Sequence, residues 1–287
     1  MQQEIRNVVV VGPGTMGRGI ANTFVRGGHN VTVLSRNPDK VDPFEGTVSV
    51  VGELPNSTPD LIVESIVEEM GAKHALFAEI EANYNGAPIL ATNTSGLPLD
   101  EMAPRLRFPE RFIGLHYLQP ADALPLVEVI RVASTTDAVL GAVKAAIERN
   151  GQGALVLNKP VPGFLINRIQ HAMMHEALAM IEDGVCTAED VDNCLKHALA
   201  PRMCLTGLIE QKDISGLQVT AATHLNLIPD LNHTNEPVAL LQEMVANGDL
   251  GAATGKGFYD WRSRDIDGYK SAVAGKLARI LAIVAEP

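Results

Sequence analysis

The chain has 287 residues, of which 46% are hydrophobic and 20% charged, and its formal net charge is −11. That length accommodates two domains, and the composition is that of a globular rather than a disordered protein. The acidic balance, without clustered Lys and Arg, excludes a phosphate-tracking nucleic-acid surface, and no apolar run reaches the ~20 residues of a bilayer span.

The start, Met1 to Asn7, carries Glu4 and Arg6 ahead of a short apolar run and lacks the pattern of a secretory leader. Cys186, Cys194 and Cys204 are odd in number and without metal-ligand spacing. Reduced thiols, no metal site and a cytoplasmic setting are therefore expected.

In chain order, Val8–Val11, Val31–Leu34, Leu61–Val63, Ile89–Ala91, Phe112–Leu115, Leu126–Ile130 and Ala154–Leu157 are β-branched or apolar runs that predict strands. Helical patterns lie between several of them, over Met16–Arg26, Lys73–Ala82 and Ala138–Glu148. Strands alternating with helices predict an α/β, Rossmann-type, doubly wound and mainly parallel sheet. Asn37–Pro59, with its prolines, reads as connection. Beyond Pro160-Val161-Pro162-Gly163 helices take over: Phe164–Glu182, Ala188–Ala198, a stretch around Gly207–Thr223, Pro237–Ala246 and one near Lys270–Val284. Thr187 with Asp190 resembles a capping box, with Asp in the usual Glu position. The division expected is a dinucleotide-binding domain over 1–160 and an all-helical substrate and dimerisation domain over 161–287.

Gly12-Pro13-Gly14-Thr15-Met16-Gly17 spells G-x-G-x-x-G directly after a strand and at the start of a helix. The first glycine permits a tight turn, the second lets a pyrophosphate approach the backbone, and the third lets helix pack on strand. The helix start, with Thr15 and Met16, then offers free N–H groups to the anion. NAD enzymes place a carboxylate at the tip of the second strand to accept the ribose hydroxyls. Here that tip reads Leu34-Ser35-Arg36-Asn37. Without a carboxylate, and with Arg36, Ser35 and Lys40 available to a 2′-phosphate, NADP is favoured. The alternative is that Arg36 covers the adenine face while NAD binds.

Further along, Leu90-Ala91-Thr92-Asn93-Thr94-Ser95, Pro109-Glu110-Arg111-Phe112-Ile113-Gly114-Leu115-His116 and Leu126-Val127-Glu128-Val129-Ile130 follow one another. With Pro162-Gly163-Phe164-Leu165-Ile166-Asn167-Arg168 and Thr254-Gly255-Lys256-Gly257-Phe258-Tyr259-Asp260, this series resembles the L-3-hydroxyacyl-CoA dehydrogenase family over nearly the whole chain. The resemblance implies a His–Glu catalytic pair, His116 and Glu128. An imidazole of near-neutral pKa takes the proton of a secondary alcohol, and a carboxylate on its other nitrogen fixes the tautomer. It further implies that Ser95 and Asn167 line the reacting oxygen and that Glu68 and Lys73 lie near the nicotinamide and its ribose. Asn93 is placed with the cofactor residues, and a homodimer is implied as well. His171 and His175, four apart on a predicted helix, read as packing or surface residues rather than ligands.

Three departures from the family pattern stand out. His116-Tyr117-Leu118-Gln119-Pro120 replaces the usual H-F-F-N-P, which lengthens the amide at Gln119. Asn37–Asp60 is too short for the helical arm that helps hold coenzyme A. The segment that often reads G-P-F is Thr206-Gly207-Leu208-Ile209. The expected activity is thus hydride transfer between a nicotinamide cofactor and a secondary alcohol or ketone of the 3-hydroxyacyl or small hydroxy-acid type. A small acid substrate would direct its carboxylate to Arg202 or Lys212. Imine or amine reduction on the same scaffold, or a cofactor-binding regulator without turnover, are the alternatives.

Overall fold

The computed structural model describes residues 3–44 and 46–285; Met1, Gln2, Glu45, Glu286 and Pro287 lie outside the described residues. The chain divides into two compact units, Met1–Arg168 and Ile169–Pro287.

The first unit is built on eight strands, β1 (Asn7–Val11), β2 (Asn30–Leu34), β3 (Val48–Val51), β4 (Leu61–Glu64), β5 (Ile89–Thr92), β6 (Phe112–His116), β7 (Leu126–Ile130) and β8 (Gly153–Leu157). They form one sheet in the order β3-β2-β1-β4-β5-β6-β7-β8. Neighbours are parallel except β6 and β7. Helices α1 (Thr15–Arg26), α2 (Met70–Tyr84), α3 (Leu99–Met102) and α4 (Asp137–Arg149) cover it. Successive residues of a strand point to opposite faces. Val8 and Val10 accordingly pack with Ile20, Phe24, Val143 and Ile147 of α1 and α4, whereas Val9 and Val11 pack with Phe77, Ile80, Leu99 and Met102 of α2 and α3. Each fully buried side chain of this size contributes about 1.5–3 kcal/mol of transfer free energy. A sheet covered on both faces needs near-continuous apolar strands, which is what these runs supply.

The predicted strands are present with ends shifted by one residue or less. The connection after β2 differs from the reading: it holds a short 3₁₀ turn, Pro38–Lys40, and the additional strand β3. Val48, Ser49, Val50 and Val51 pair in parallel with Val31 to Leu34 of β2 at the sheet edge. An edge strand tolerates the prolines on either side of it, which is why those prolines did not prevent strand formation.

Helix α5 (Ile166–Glu182) begins at the end of the first unit. The second unit carries α6 (Ala188–Cys194), a π-helical turn over Leu195–Leu199, α7 (Ala200–Thr206), α8 (Leu208–Ser215), α9 (Leu217–Leu227), α10 (Ala239–Ala246) and α11 (Ile266–Val284). The helical stretch expected around Gly207–Thr223 is made of two helices, α8 and α9, separated at Gly216. The last helix starts four residues earlier than predicted, because Asp265 caps it by accepting from the Gly268 amide at 3.0 Å. At α6, Thr187 Oγ1 accepts from the Asp190 amide (3.1 Å) and Asp190 accepts from the Thr187 amide (3.0 Å), so the capping box is formed. The Thr254–Asp260 signature folds as a small turn with antiparallel bridges Gly251–Lys256 and Lys256–Asp260.

Candidate active site

The sheet order reverses direction at β1, which has β2 on one side and β4 on the other. In open α/β sheets this is where a crevice opens beyond the carboxyl ends of the strands. Gly12 follows β1 with φ of +104°, and a Cβ there would meet the Ser65 carbonyl oxygen at 2.4 Å. A Cβ on Gly17 would come within 1.8 Å of the Gly12 carbonyl oxygen, so only glycine lets α1 close on the turn. Gly14 is different: among the described residues nothing lies within 4 Å of a Cβ built on it. The backbone at Gly14 is thus open to an approaching group, and α1 has no side-chain cap there. Gly14, Thr15 and Met16 line a cleft of about 490 Å³ together with Arg18, Lys40 and Gln119. These features, an open glycine and uncapped helix amides beside a cleft, fit a dinucleotide pyrophosphate.

Arg18 carried no reading from the sequence. Its guanidinium donates to the carbonyls of Asp42 (2.7 Å) and Pro43 (2.9 Å) and lies 4.3 Å above the Phe44 ring centroid. It ties the short connection after β2 to α1, beside the glycine turn. Of the three residues expected at a 2′-phosphate, Lys40 lines the cleft, whereas Ser35 and Arg36 do not. Ser35 is buried and its Oγ accepts from the Asn37 amide at 3.1 Å; Arg36 is exposed.

On the other side of the switch point, the ends of β4 and β5 are joined by a polar network. Glu64, wholly buried at the end of β4, accepts from Lys73 Nζ (2.6 Å), the Ile66 amide (2.7 Å) and Thr92 Oγ1. Lys73 is buried too, and its ammonium lies 3.3 Å from Glu68 Oε2. Glu68 in turn accepts from Thr94 Oγ1, the Ser95 amide (2.9 Å) and the Gly96 amide (3.2 Å). Burial opposes its ionisation, but these hydrogen bonds and the Lys73 charge hold its carboxyl below the usual carboxylate range. Lys73, expected at the cofactor, directs its charge inward to Glu64 and Glu68. Glu68, half-exposed, and Ser95, exposed, are the members of this group that reach the surface. Asn93 spends its Oδ1 on the Tyr117 amide (2.8 Å), which fixes the end of β5 against the end of β6. Glu64 was passed over as the end of an apolar strand; a carboxylate closing Leu61-Ile62-Val63 was the signal that could have found it.

His116 ends β6, and Glu128 is its register partner on β7. Both are buried, and His116 Nδ1 lies 2.6 Å from Glu128 Oε2. A carboxylate accepts only, so the Nδ1 proton points to it and Nε2 is left as the basic nitrogen. Glu128 Oε1 accepts from the amides of Leu165 (2.8 Å) and Ile166 (3.0 Å). Burial again opposes ionisation, yet the hydrogen bond with His116 and the two amides keep the Glu128 carboxyl below its ordinary value. Asn167 is half-buried in the first turn of α5. Arg202 and Lys212 belong to the second unit, on α7 and α8.

The family model for the 3-hydroxyacyl-CoA dehydrogenase NAD binding domain matches residues 7–53 and 47–160, and that for the C-terminal domain of the same enzymes matches residues 163–261. The chain is 26% identical, over 98% of both sequences, to 5-formyl-3-hydroxy-2-methylpyridine 4-carboxylate 5-dehydrogenase of Mesorhizobium japonicum. A crystal structure of an enzyme with that activity, described as an NAD+ dependent dismutase, superposes with a TM-score of 0.91 at 25% identity, covering 98% of each chain. A probable 3-hydroxybutyryl-CoA dehydrogenase of Bacillus subtilis is 31% identical over 91% of this chain and 99% of its own. The 3-hydroxyacyl-CoA dehydrogenase of Archaeoglobus fulgidus superposes with a TM-score of 0.70 at 29% identity, over 97% of this chain and 99% of that one. The chain belongs to the 3-hydroxyacyl-CoA dehydrogenase family and is a nicotinamide-dependent dehydrogenase.

Proposed function

We propose that this dehydrogenase acts on a small alcohol or carbonyl compound that carries no coenzyme A, with His116 and Glu128 as its proton-transfer pair. The observation that carries the pair is the buried 2.6 Å contact between Nδ1 and Oε2, with His116 at the carboxyl end of β6 as the glycine turn is at the carboxyl end of β1. A bound nicotinamide dinucleotide would supply the hydride acceptor or donor, held by Gly12, Gly14, Gly17 and the first amides of α1. His116 Nε2 takes the hydroxyl proton during oxidation and returns it during reduction. Glu128, kept ionised, stabilises the imidazolium in between. Ser95 and Asn167 hydrogen-bond the reacting oxygen; Glu68 orients the nicotinamide end, with Lys73 behind it and Asn93 fixing the adjoining strand ends.

The small substrate is supported by two observations. The connection between β2 and β4 consists of a 3₁₀ turn and β3, with Arg18 holding it to α1. The TM-score is 0.91 with the enzyme of a pyridine carboxylate aldehyde and 0.70 with the acyl-CoA enzyme. The substrate class is therefore a small carboxylate bearing an aldehyde, ketone or alcohol, with Gln119, which lines the cleft beside the glycine turn, as its candidate partner. For the cofactor, the carboxylate-free tip of β2 and the exposed Arg36 favour NADP, against the NAD+ dependence of the solved relative. In the second unit, Leu205, Ile209, Ile214 and Leu225 are each more than 70% exposed, and a second copy of the chain is the partner that would cover them. The free cysteines accord with a reducing, cytoplasmic setting. The domain division that follows is a dinucleotide-binding part over 1–160 and a substrate and dimer part over 161–287.

The test is a panel of aromatic aldehydes, free keto and hydroxy acids and acetoacetyl-CoA, assayed with NADH, NADPH and their oxidised forms. Turnover of a free acid well above that of the thioester is expected. Acetoacetyl-CoA as much the fastest substrate would overturn the small-substrate reading.

A further inference from the structure

We infer that Phe164 is a positioning residue for the His116–Glu128 pair, acting through its left-handed backbone and its ring together. The inference rests on that pair being the proton-transfer couple. Gly163 has φ of +75°, and Phe164, directly after it, has φ of +50°. A bulky residue with positive φ is a genuine outlier and persists only where its surroundings hold it. Here they do: the Phe164 amide donates to the Val161 carbonyl at 2.9 Å, and the Arg168 amide donates to the Gly163 carbonyl at 3.0 Å. The turn is closed on both sides.

What the turn produces is the pair of amides that follow it. Leu165 and Ile166 both donate to Glu128 Oε1, at 2.8 and 3.0 Å, leaving Oε2 for His116. With Phe164 in the extended region, the Leu165 amide, which shares its peptide plane with Phe164, would turn away from that oxygen. Glycine or asparagine would adopt the left-handed conformation at less cost. The backbone therefore does not account for phenylalanine, and the ring does. It is 3% exposed, packs among the apolar side chains that include Leu99, Met102, Phe112 and Ile130, and lies 5.3 Å from the imidazole centroid at 54°. One residue thus orients the carboxylate through its peptide and shields the imidazole through its side chain. Among the described residues Glu128 supplies the hydrogen bond and ion pair of His116, so Phe164 acts on the imidazole through packing and through Glu128.

The experiment compares Phe164→Gly, which keeps the turn and removes the ring, Phe164→Ala, which loses both, and Phe164→Tyr, which keeps both. Phe164→Leu serves if the smaller variants fail to fold. Three quantities are read: the downfield proton resonance of the Nδ1–H···Oε2 bond in cofactor-free protein, assigned by its loss in His116→Ala; the separate changes in kcat and KM; and cofactor affinity. In Phe164→Gly and Phe164→Ala the resonance should broaden away, and kcat should fall about ten- to a hundredfold, as expected for misplaced catalytic groups. Cofactor affinity should stay within about twofold, and Phe164→Tyr should restore both signal and rate. An intact resonance with unchanged kcat in the glycine and alanine variants would overturn the inference. So would losses shared equally with cofactor binding. Should His116→Ala remain active, the proton-transfer reading fails instead, while the resonance still reports whether Phe164 positions the pair.

Discussion

His116 and Glu128 stand directly opposite one another on β6 and β7, the antiparallel neighbours of an otherwise parallel sheet. Residues opposed across an antiparallel pair project to the same face, their Cβ atoms about 4.5–5.5 Å apart. The register alone therefore brings imidazole and carboxylate together, without a loop having to carry either. Twelve residues of sequence separation are spent on reversing the chain between the two strands. Glu128 is then held at both oxygens, by His116 on one and by the Leu165 and Ile166 amides on the other.

The first prediction concerns that pair. His116→Ala should lower kcat by about 10²–10⁴-fold, the usual contribution of a positioned acid–base group. The dinucleotide dissociation constant should be unchanged, since the glycine turn is untouched. Glu128→Gln keeps the shape but can present a donor to Nδ1, and it should lose most of the activity through the wrong tautomer. Stopped-flow single turnovers and fluorescence titration of the reduced cofactor separate the two effects.

A second prediction follows from Glu68, whose carboxyl is held below its ordinary value of 4.5. The folded protein then binds fewer protons at this group than the unfolded chain as the pH falls below about that value. Its contribution to stability is present above pH 4.5 and is lost as the pH drops through the folded value. Glu68→Gln should therefore flatten the acid limb of the melting temperature against pH, leaving melting at pH 7 lower than wild type. Identical acid limbs in the two proteins would count against it.

Lys73 and Glu64 provide a third. Both are fully buried, and their 2.6 Å contact is made without water. Removing one charge from such a pair leaves the other uncompensated, at a cost of about 3–5 kcal/mol. Lys73→Met should show that loss in urea unfolding, even though Ile66 and Thr92 still donate to Glu64. Glu64→Gln combined with Lys73→Met should recover much of it, because the stranded carboxylate is gone. A double variant no more stable than Lys73→Met would refute the pairing as the cause.

How much of this could be read in the sequence depended on the kind of signal. Buried parallel strands such as Leu61–Val63 are continuous apolar runs, and the glycine turn is defined by three residue types at fixed spacing, so both were legible. Strand β3 was not, because Val48–Val51 is a short edge segment whose partner, β2, is settled only by the fold. The break at Gly216 was hidden because a single glycine is tolerated in a helical pattern. The carboxylate closing Leu61-Ile62-Val63 marks Glu64 as unusual, but its partners Lys73 and Thr92 lie 9 and 28 residues away, so nothing local shows that Lys73 turns inward to it. Phe164 lies in a segment whose composition was plain, but a positive φ on a phenylalanine has no residue-type signal at all.

The proposed preference for NADP rests on Arg36 meeting a 2′-phosphate. Hydrogen bonds to charged groups contribute about 1.5–3 kcal/mol, which is roughly ten- to a hundredfold in affinity. Arg36→Ala should raise KM for NADPH by about that factor and leave NADH nearly unaffected. If instead both cofactors weaken equally, Arg36 covers the adenine, and the preference for the phosphorylated form is lost.

Gly14 and Gly17 should separate folding from binding. A methyl group on Gly17 meets the Gly12 carbonyl at 1.8 Å, a contact with backbone that neither α1 nor the turn can relieve locally. Gly17→Ala should therefore destabilise the cofactor-free protein and abolish dinucleotide binding together. A methyl on Gly14 meets no atom of the described residues within 4 Å, and that position has ordinary negative φ. Gly14→Ala should melt at nearly the wild-type temperature without cofactor. Its Cβ, however, stands where a pyrophosphate must come close to the backbone, so affinity for the dinucleotide should fall. Thermal melts of both variants, with and without cofactor, give the comparison. The stabilisation produced by saturating cofactor should shrink in Gly14→Ala although its cofactor-free melting does not. Wild-type affinity in Gly14→Ala would mean that the open space before this residue is not where the dinucleotide lies.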